Sequence, residues 1–180
     1  MTAAPAGLVL AAGAGTRFGQ PKAPVDVDGE RLVDRAVRCL REGGCQPVVV
    51  VLGAWVGDVP GAIVVENPDW ADGMGSSMRA GLDAVAATDA GSVLVTLVDL
   101  PGLTATAVAR VVAAEAPIVI AAYQGERGHP VRLAREHWAE VALTAQGDAG
   151  ARAFLRGRRD VVLVEVGDVA SGYDMDEPAE

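Results

Sequence analysis

A chain of 180 residues, 51% of them apolar, can bury one substantial core and is too short for two ordinary domains, so one domain over residues 1–180 is expected. Its formal net charge of −9 provides no basic face to neutralise a nucleic-acid backbone. A small anion held by local cations and backbone N–H groups remains compatible with that charge. The apolar residues are mostly Ala and Val, and Gly is abundant, which favours an α/β layer design of short buried strands and tight turns. Cys39 and Cys45 lack metal-ligand spacing and read as packing thiols. The opening MTAAPAG lacks signal-peptide features, and no segment approaches the ~20 apolar residues of a membrane span, so a cytoplasmic protein without membrane contact is expected.

The first predicted strand is Leu8 to Ala12, followed by a glycine-rich loop from Gly13 to about Lys22 and a tight turn at Asp28-Gly29. Leu32, Val33, Ala36, Val37 and Leu40 share one face of a helix over Arg31 to Glu42, stopped by Gly43-Gly44. Val48 to Leu52 and Ala62 to Val65 read as strands. A polar loop, Asn67 to Ser77, then leads to a helix carrying Met78, Leu82, Val85 and Ala86, with Ser76 or Ser77 as its expected cap. Ser92 to Val98 has the near-continuous apolar character of a central parallel strand and ends in Asp99-Leu100-Pro101. A helix over Thr104 to Glu115 and a strand over Pro117 to Tyr123 follow. The last third reads as a strand or hairpin near Pro130 to Leu133, short helices around Glu136 to Leu143 and Asp148 to Arg156, and a strand at Val161 to Val166. Alternating strands and helices predict a mostly parallel sheet covered on both faces.

The loop LVLAAGAGTRFGQPK places Gly13, Gly15 and Gly19 directly after a strand, with Arg17 and Lys22 in the same loop. Glycines let the backbone approach phosphate oxygens with no Cβ in the way, and Arg17 and Lys22 supply the positive charge that a triphosphate requires. The G-x-G-x-x-x-G spacing departs from the dinucleotide fingerprint, and Lys22 stands too far from Gly19, and without Ser or Thr after it, for a P-loop.

Leu10 to Lys22 resembles the L-A-A/G-G-x-G-x-R-x-G-x-x-K signature of the MobA-like NTP transferases and, within them, the molybdenum cofactor cytidylyltransferases. The resemblance continues through NPDWADGMGSSMRAGL, LVDLPGLT, RGHPVRL and GDAGAR. It implies a three-layer α/β/α, Rossmann-like nucleotidyltransferase fold of the glycosyltransferase-A-like kind. It also implies transfer of a nucleoside monophosphate from an NTP to a phosphorylated acceptor, with CTP and molybdopterin favoured and Mg²⁺ as cofactor. A transient contact with a receiving molybdenum hydroxylase follows from that reading.

By the same resemblance, Ala11, Ala12, Gly13, Ala14, Gly15, Thr16, Arg17 and Lys22 form the nucleotide loop, with Arg17, Lys22 and Asp99 as the catalytic set. Asp99, at the carboxyl end of a central strand, is the expected metal ligand, against the plainer role of capping the Pro101 turn. Asp176 is the second, against a solvated acidic tail, because Asp174-Met175-Asp176 resembles the family's D-x-D-T-P-E-D ending while Glu177 to Glu180 departs from it. Asn67, Gly75 and Ser77 are expected at the base and sugar. His129, Arg127, Asp148 and Arg152 are expected on the acceptor side, Arg152 because a guanidinium suits phosphate. Ala12, where guanylyl enzymes tend to have glycine, points to a pyrimidine. A guanylyl, sugar-phosphate or polyol-phosphate transferase, and a nucleotide-binding delivery protein without turnover, are the alternatives.

Overall fold

The computed structural model describes residues 4–176, so the departing stretch Glu177 to Glu180 lies outside the described residues. Strand β1 (Ala6–Ala11) is buried along its whole length. A small hairpin, β2 (Asp26–Val27) and β3 (Glu30–Arg31), turns through Asp28 at φ 55 and Gly29 at φ 85. Two consecutive positive φ values are what a tight hairpin of this hand requires, and the Asp-Gly pair supplies them. Helix α1 (Leu32–Glu42) follows, then β4 (Val48–Leu52) and β5 (Ile63–Glu66). Helix α2 (Met74–Ala86) leads to β6 (Ser92–Leu97), and α3 (Ala105–Ala113) to β7 (Ile118–Tyr123). The chain continues through β8 (Glu126–Ala134), α4 (Trp138–Thr144), α5 (Arg152–Leu155) and β9 (Val162–Glu165).

Seven strands form one sheet in the order β5-β4-β1-β6-β8-β7-β9, with β8 alone antiparallel to its neighbours. Alternate side chains of β1 enter different cores. Val9 and Ala11 pack with α1 and α3, whereas Leu8 and Leu10 pack with α2, α4 and α5. The result is the expected α/β/α layering, with central strands apolar on both faces. Among the described residues no helix is long and apolar enough to cross a membrane.

Three local expectations change. Helix α2 begins at Met74 behind Gly73, with no side-chain cap, so Ser76 and Ser77 lie inside its first turn. The strand expected at Pro130 to Leu133 extends back to Glu126, because the polar residues before Pro130 pair with the end of β7. The helix expected over Asp148 to Arg156 is interrupted by Gly150 at φ 48, just after a turn at Gly147 with φ 52, which leaves only Arg152–Leu155 as α-helix.

Strand β8 and the residue after it also close two helix ends. Arg132 donates to the carbonyls of Val112 (2.7 Å), Ala114 and Ala116 (2.9 Å) at the end of α3. Arg135 does the same for Ala86 (2.7 Å), Thr88 (2.8 Å) and Ala90 (2.9 Å) after α2, in the opposite layer. A guanidinium there satisfies carbonyls that a helix terminus leaves without donors and meets the negative end of the helix dipole. Burial pushes the Arg132 pKa down from its ordinary value, which marks it as the more enclosed of the two. Arg132→Met is expected to cost about 2–3 kcal/mol, because charged hydrogen bonds to three part-buried carbonyls are lost. That loss corresponds to a drop of roughly 5–10 °C in Tm for a domain of this size. Arg135→Met, nearer to solvent, is expected to cost about 1 kcal/mol. Thermal melts of the two variants check the order.

Candidate active site

The chain leaves β1 toward β4 through α1 and returns through α2 to β6 on the other side, so the carboxyl ends of β1 and β6 form a topological switch point. Open α/β sheets bind ligands in that crevice. The loop after β1 is anchored by buried Phe18 and Ala23 and tightened by the Gly19 N–H donating to the Gly15 carbonyl at 2.7 Å. Gly15, at φ +61, is required by the loop itself, since a Cβ there would stand 1.9 Å from the Gln20 carbonyl oxygen. Gly13 is different. A Cβ there would meet nothing within 4 Å and would project into open space, so the backbone at Gly13 is accessible from the cleft.

Lys22 reaches from this loop to the end of β6, where its Nζ lies 2.9 Å from Asp99 Oδ2. Its side chain is 13% exposed and that of Asp99 21%, so the pair is largely shielded from solvent. Lys22 is also the only lysine in the chain. The second carboxylate arrives from the far end of the sequence. Ser171 N–H donates to the Gly102 carbonyl (3.1 Å), Met175 N–H donates to the Asp99 carbonyl (2.9 Å), and buried Met175 anchors the segment in the core. Asp176 thereby lies 3.4 Å from Lys22 and 3.9 Å from exposed Arg17.

Asp99 Oδ1 is buried with no hydrogen-bond partner. Asp99 and Asp176 bring two carboxylates to the same ammonium group, at 2.9 and 3.4 Å, and carboxylate oxygens are the donors that hard divalent cations take. Among the described residues no group of three or more His, Cys, Asp or Glu could hold a metal alone. Asp174 faces the same cluster. Burial, and then the Asp99 and Asp176 charges, push its carboxyl above the ordinary range, with Lys22 opposing them.

A cleft of about 570 Å³ contains Ala12, Gly13, Ala14, Gly15, Thr16, Arg17, Lys22, Ser77, Asp99 and Asp176. Ala11 lies at the buried end of β1 and lines a smaller recess beside it. The cleft is also lined by Trp70, Met74 and Asp148. The first two lie within the NPDWADGMGSSMRAGL stretch without having been singled out as site residues, and Asp148 was expected on the acceptor side. A second cavity of about 460 Å³ holds His129, Arg127 and Arg152, together with Arg156 and Asp174. Leu10 and Met74 line both, so the two adjoin. Burial keeps the His129 imidazole below its ordinary pKa and therefore neutral at neutral pH, with Asp99 opposing and Arg152 adding to the shift.

Asn67 and Gly75 are not on the cleft wall. The Asn67 amide donates to the Ser76 (2.9 Å) and Ser77 (3.1 Å) hydroxyls, and its carbonyl oxygen accepts from Asp69 N–H (3.0 Å), tying the loop to α2. Gly75 lets α2 pack against the Ala145 backbone, 2.7 Å from where a Cβ would sit. A larger groove, about 770 Å³, lies at the other end of β4 and β5 and gathers no converging set of functional groups. Its Asp34 pairs with Arg31, and its Arg38 pairs with Glu30 and Glu42.

Two proteins are similar to this chain in sequence and one solved structure in fold. A protein named nicotine blue oxidoreductase from Paenarthrobacter nicotinovorans is 44% identical over 188 aligned positions, covering 94% of this chain and 91% of its own length. A probable molybdenum cofactor guanylyltransferase from Opitutus terrae is 39% identical over 102 positions, covering 56% of this chain and 50% of its own length. The crystal structure of Rv0371c from Mycobacterium tuberculosis H37Rv superposes with a TM-score of 0.79 at 24% identity, covering 97% and 94% of the two chains. The same protein has been solved as a complex with manganese, with a TM-score of 0.72 at 22% identity and 91% and 89% coverage. The family model described as the MobA-like NTP transferase domain matches residues 7–162, and with that match the chain belongs to the MobA-like NTP transferase family.

Proposed function

We propose that this nucleotidyltransferase moves CMP from CTP to the terminal phosphate of a phosphorylated acceptor, with molybdopterin favoured, in the cytoplasm. One observation carries the reading: the glycine loop, Lys22, Asp99 and Asp176 meet at the β1/β6 switch point, beside a second cavity bearing Arg127, Arg152 and Arg156. An acceptor phosphate oxygen attacks the α-phosphorus, the bond to the bridging β-phosphate oxygen breaks, and pyrophosphate leaves. A phosphate monoester is largely ionised at neutral pH, with a second pKa of about 6, so no side-chain base is needed. The chain's own groups bind and align. Backbone at Gly13 approaches the phosphates, Lys22 balances charge on the departing pyrophosphate, and the arginines of the second cavity orient the acceptor. Asp99 and Asp176 would hold Mg²⁺, which when bound supplies charge neutralisation at the phosphates. A product carrying the nucleotide would then pass to a molybdenum hydroxylase.

The Ala12 methyl group on the cleft wall supports a pyrimidine over a purine. The 39% identity to a probable guanylyltransferase keeps GTP as the competing nucleotide within the same chemistry.

A second reading, an oxidoreductase acting on nicotine blue, is favoured by the 44% identity to the protein named nicotine blue oxidoreductase. The loop's G-x-G-x-x-x-G spacing departs from the dinucleotide fingerprint and speaks against a nicotinamide cofactor there. Pyrophosphate release from each of the four NTPs, with and without molybdopterin, set beside dye reduction with NADH and NADPH, separates the readings. Transfer requires release with CTP that depends on the acceptor, whereas dye turnover without pyrophosphate would overturn it.

Asp99→Asn is expected to keep the fold and lower turnover by about 10²-fold or more, because a charge contact to the reacting phosphates is lost. Wild-type rates at limiting Mg²⁺ would contradict the assignment.

The two loop glycines are expected to fail differently. Gly13→Ala should raise the NTP KM about tenfold or more at unchanged Tm. Gly15→Ala should lower Tm, since its side chain collides with the loop's own backbone at positive φ.

Ala12→Gly is expected to shift the CTP-to-GTP ratio of kcat/KM toward GTP by roughly 10- to 200-fold at most, the range available to one small group. An unchanged ratio removes Ala12 as the selector.

A further inference from the structure

The cleft is chemically uneven along the sheet. Over β6 stand Lys22, Asp99 and Asp176. Over the gap between β1 and β4, on the other side of β1, stands Trp70. A Cβ on Gly53, the residue after β4, would lie 2.5 Å from Trp70 Cβ and 2.8 Å from the Ala12 carbonyl oxygen. Gly53 thus lets the tryptophan seat directly on backbone beside Ala12, half-buried and with the cleft as its open side. Adjacent strands are roughly 4.8 Å apart, so Trp70 stands about two strand spacings from Asp99. A nucleotide aligned with its phosphates at Lys22 therefore extends toward the indole.

Asp148 completes that end of the cleft. Gly73 N–H donates to the Trp70 carbonyl at 3.2 Å, and a Cβ on Gly73 would lie 2.7 Å from Asp148 Oδ1. The missing side chain at Gly73 makes room for the carboxylate next to the Trp70 turn. A carboxylate only accepts hydrogen bonds, so it favours a ligand edge that presents N–H donors. An aromatic face and an acceptor at the end remote from the phosphates form a complementary pair for a base carrying an amino group.

Resting on the nucleotide reading above, we propose that Trp70 and Asp148 form the nucleobase subsite. The base stacks on the indole and donates its exocyclic amino group to the Asp148 carboxylate. Cytosine offers that amino group, whereas uracil, of equal size, turns a carbonyl oxygen toward the carboxylate. Discrimination between CTP and UTP therefore comes from Asp148, and discrimination between pyrimidine and purine from Ala12.

Titration calorimetry of wild type, Trp70→Ala, Trp70→Phe and Asp148→Asn with the Mg²⁺ complexes of CTP, UTP and tripolyphosphate tests this, with Tm recorded for each variant. Tripolyphosphate carries the charge without a base. Trp70→Ala is expected to weaken CTP and UTP roughly 10- to 100-fold, as loss of one stacking contact does, while tripolyphosphate binds as before. Trp70→Phe should recover most of the loss. Wild type should prefer CTP over UTP by about tenfold or more, and Asp148→Asn, whose amide can also donate, should bring the two within about threefold. Undiminished CTP binding by Trp70→Ala, or an equal loss for tripolyphosphate, overturns the stacking role. Equal CTP and UTP affinity in wild type overturns the Asp148 role. A wild-type protein that binds CTP in this pattern but releases no pyrophosphate in the turnover assay overturns the transfer reading and leaves the subsite standing.

Discussion

The Lys22 ammonium group ties together parts of the chain that local structure cannot bring into register. Its partner Asp99 is 77 residues away and its second partner Asp176 is 154 residues away, yet all three converge on one cleft. The sheet makes this possible: β1 and β6 are neighbours, so the loop leaving one faces the loop leaving the other. The last described segment is then drawn across by its backbone bond to the Asp99 carbonyl and by buried Met175. Loss of the sheet order would scatter the three groups, so the fold's main contribution to chemistry is this juxtaposition.

The electrostatics of the cleft follow from the same contact. The protein carries a net charge of −9, and the two cations lining the cleft, Arg17 and Lys22, already face carboxylates. Such a site attracts a bare polyphosphate weakly and a metal-complexed one far better, because the cation cancels the charge of both partners. Asp99 itself places one oxygen on Lys22 and keeps the other buried without a partner. The adjoining cavity inverts the balance, setting three guanidinium groups against one carboxylate, Asp174. Acidic and basic halves therefore lie side by side.

What the sequence made legible was what local pattern encodes. Continuous apolar runs identified the buried strands, and strand–Gly-x-Gly–Arg–Lys identified the loop that carries Lys22 into the cleft. Asp99 was legible from its place after a central strand. Other features depend on contacts between distant segments. Asn67, a polar residue in a polar loop, looked available to a ligand until the folded chain placed its amide against two serine hydroxyls of α2. Asp148 carried no local sign of lying beside Gly73 rather than with Arg152, only four residues later. Gly13 and Gly15 are indistinguishable as letters. Their different work appears only once the Gln20 carbonyl is known to stand over one of them. The two arginines that close α2 and α3 were likewise unreadable, because their acceptors belong to other elements.

The singularity of Lys22 has a practical consequence. With every other basic side chain except the two histidines an arginine, the chain contains one side-chain amine, and it sits at the centre of the cleft. Reductive methylation with isotopically labelled formaldehyde would place one pair of NMR-visible methyl groups there. The chain's α-amino group titrates separately. Those methyl groups would sense the departure of Asp176, the arrival of phosphate and the entry of a cation as successive shifts of a single resonance. A protein with lysines scattered over its surface would bury that signal among many; in this one the chemistry of the cleft is spectroscopically isolated by composition alone.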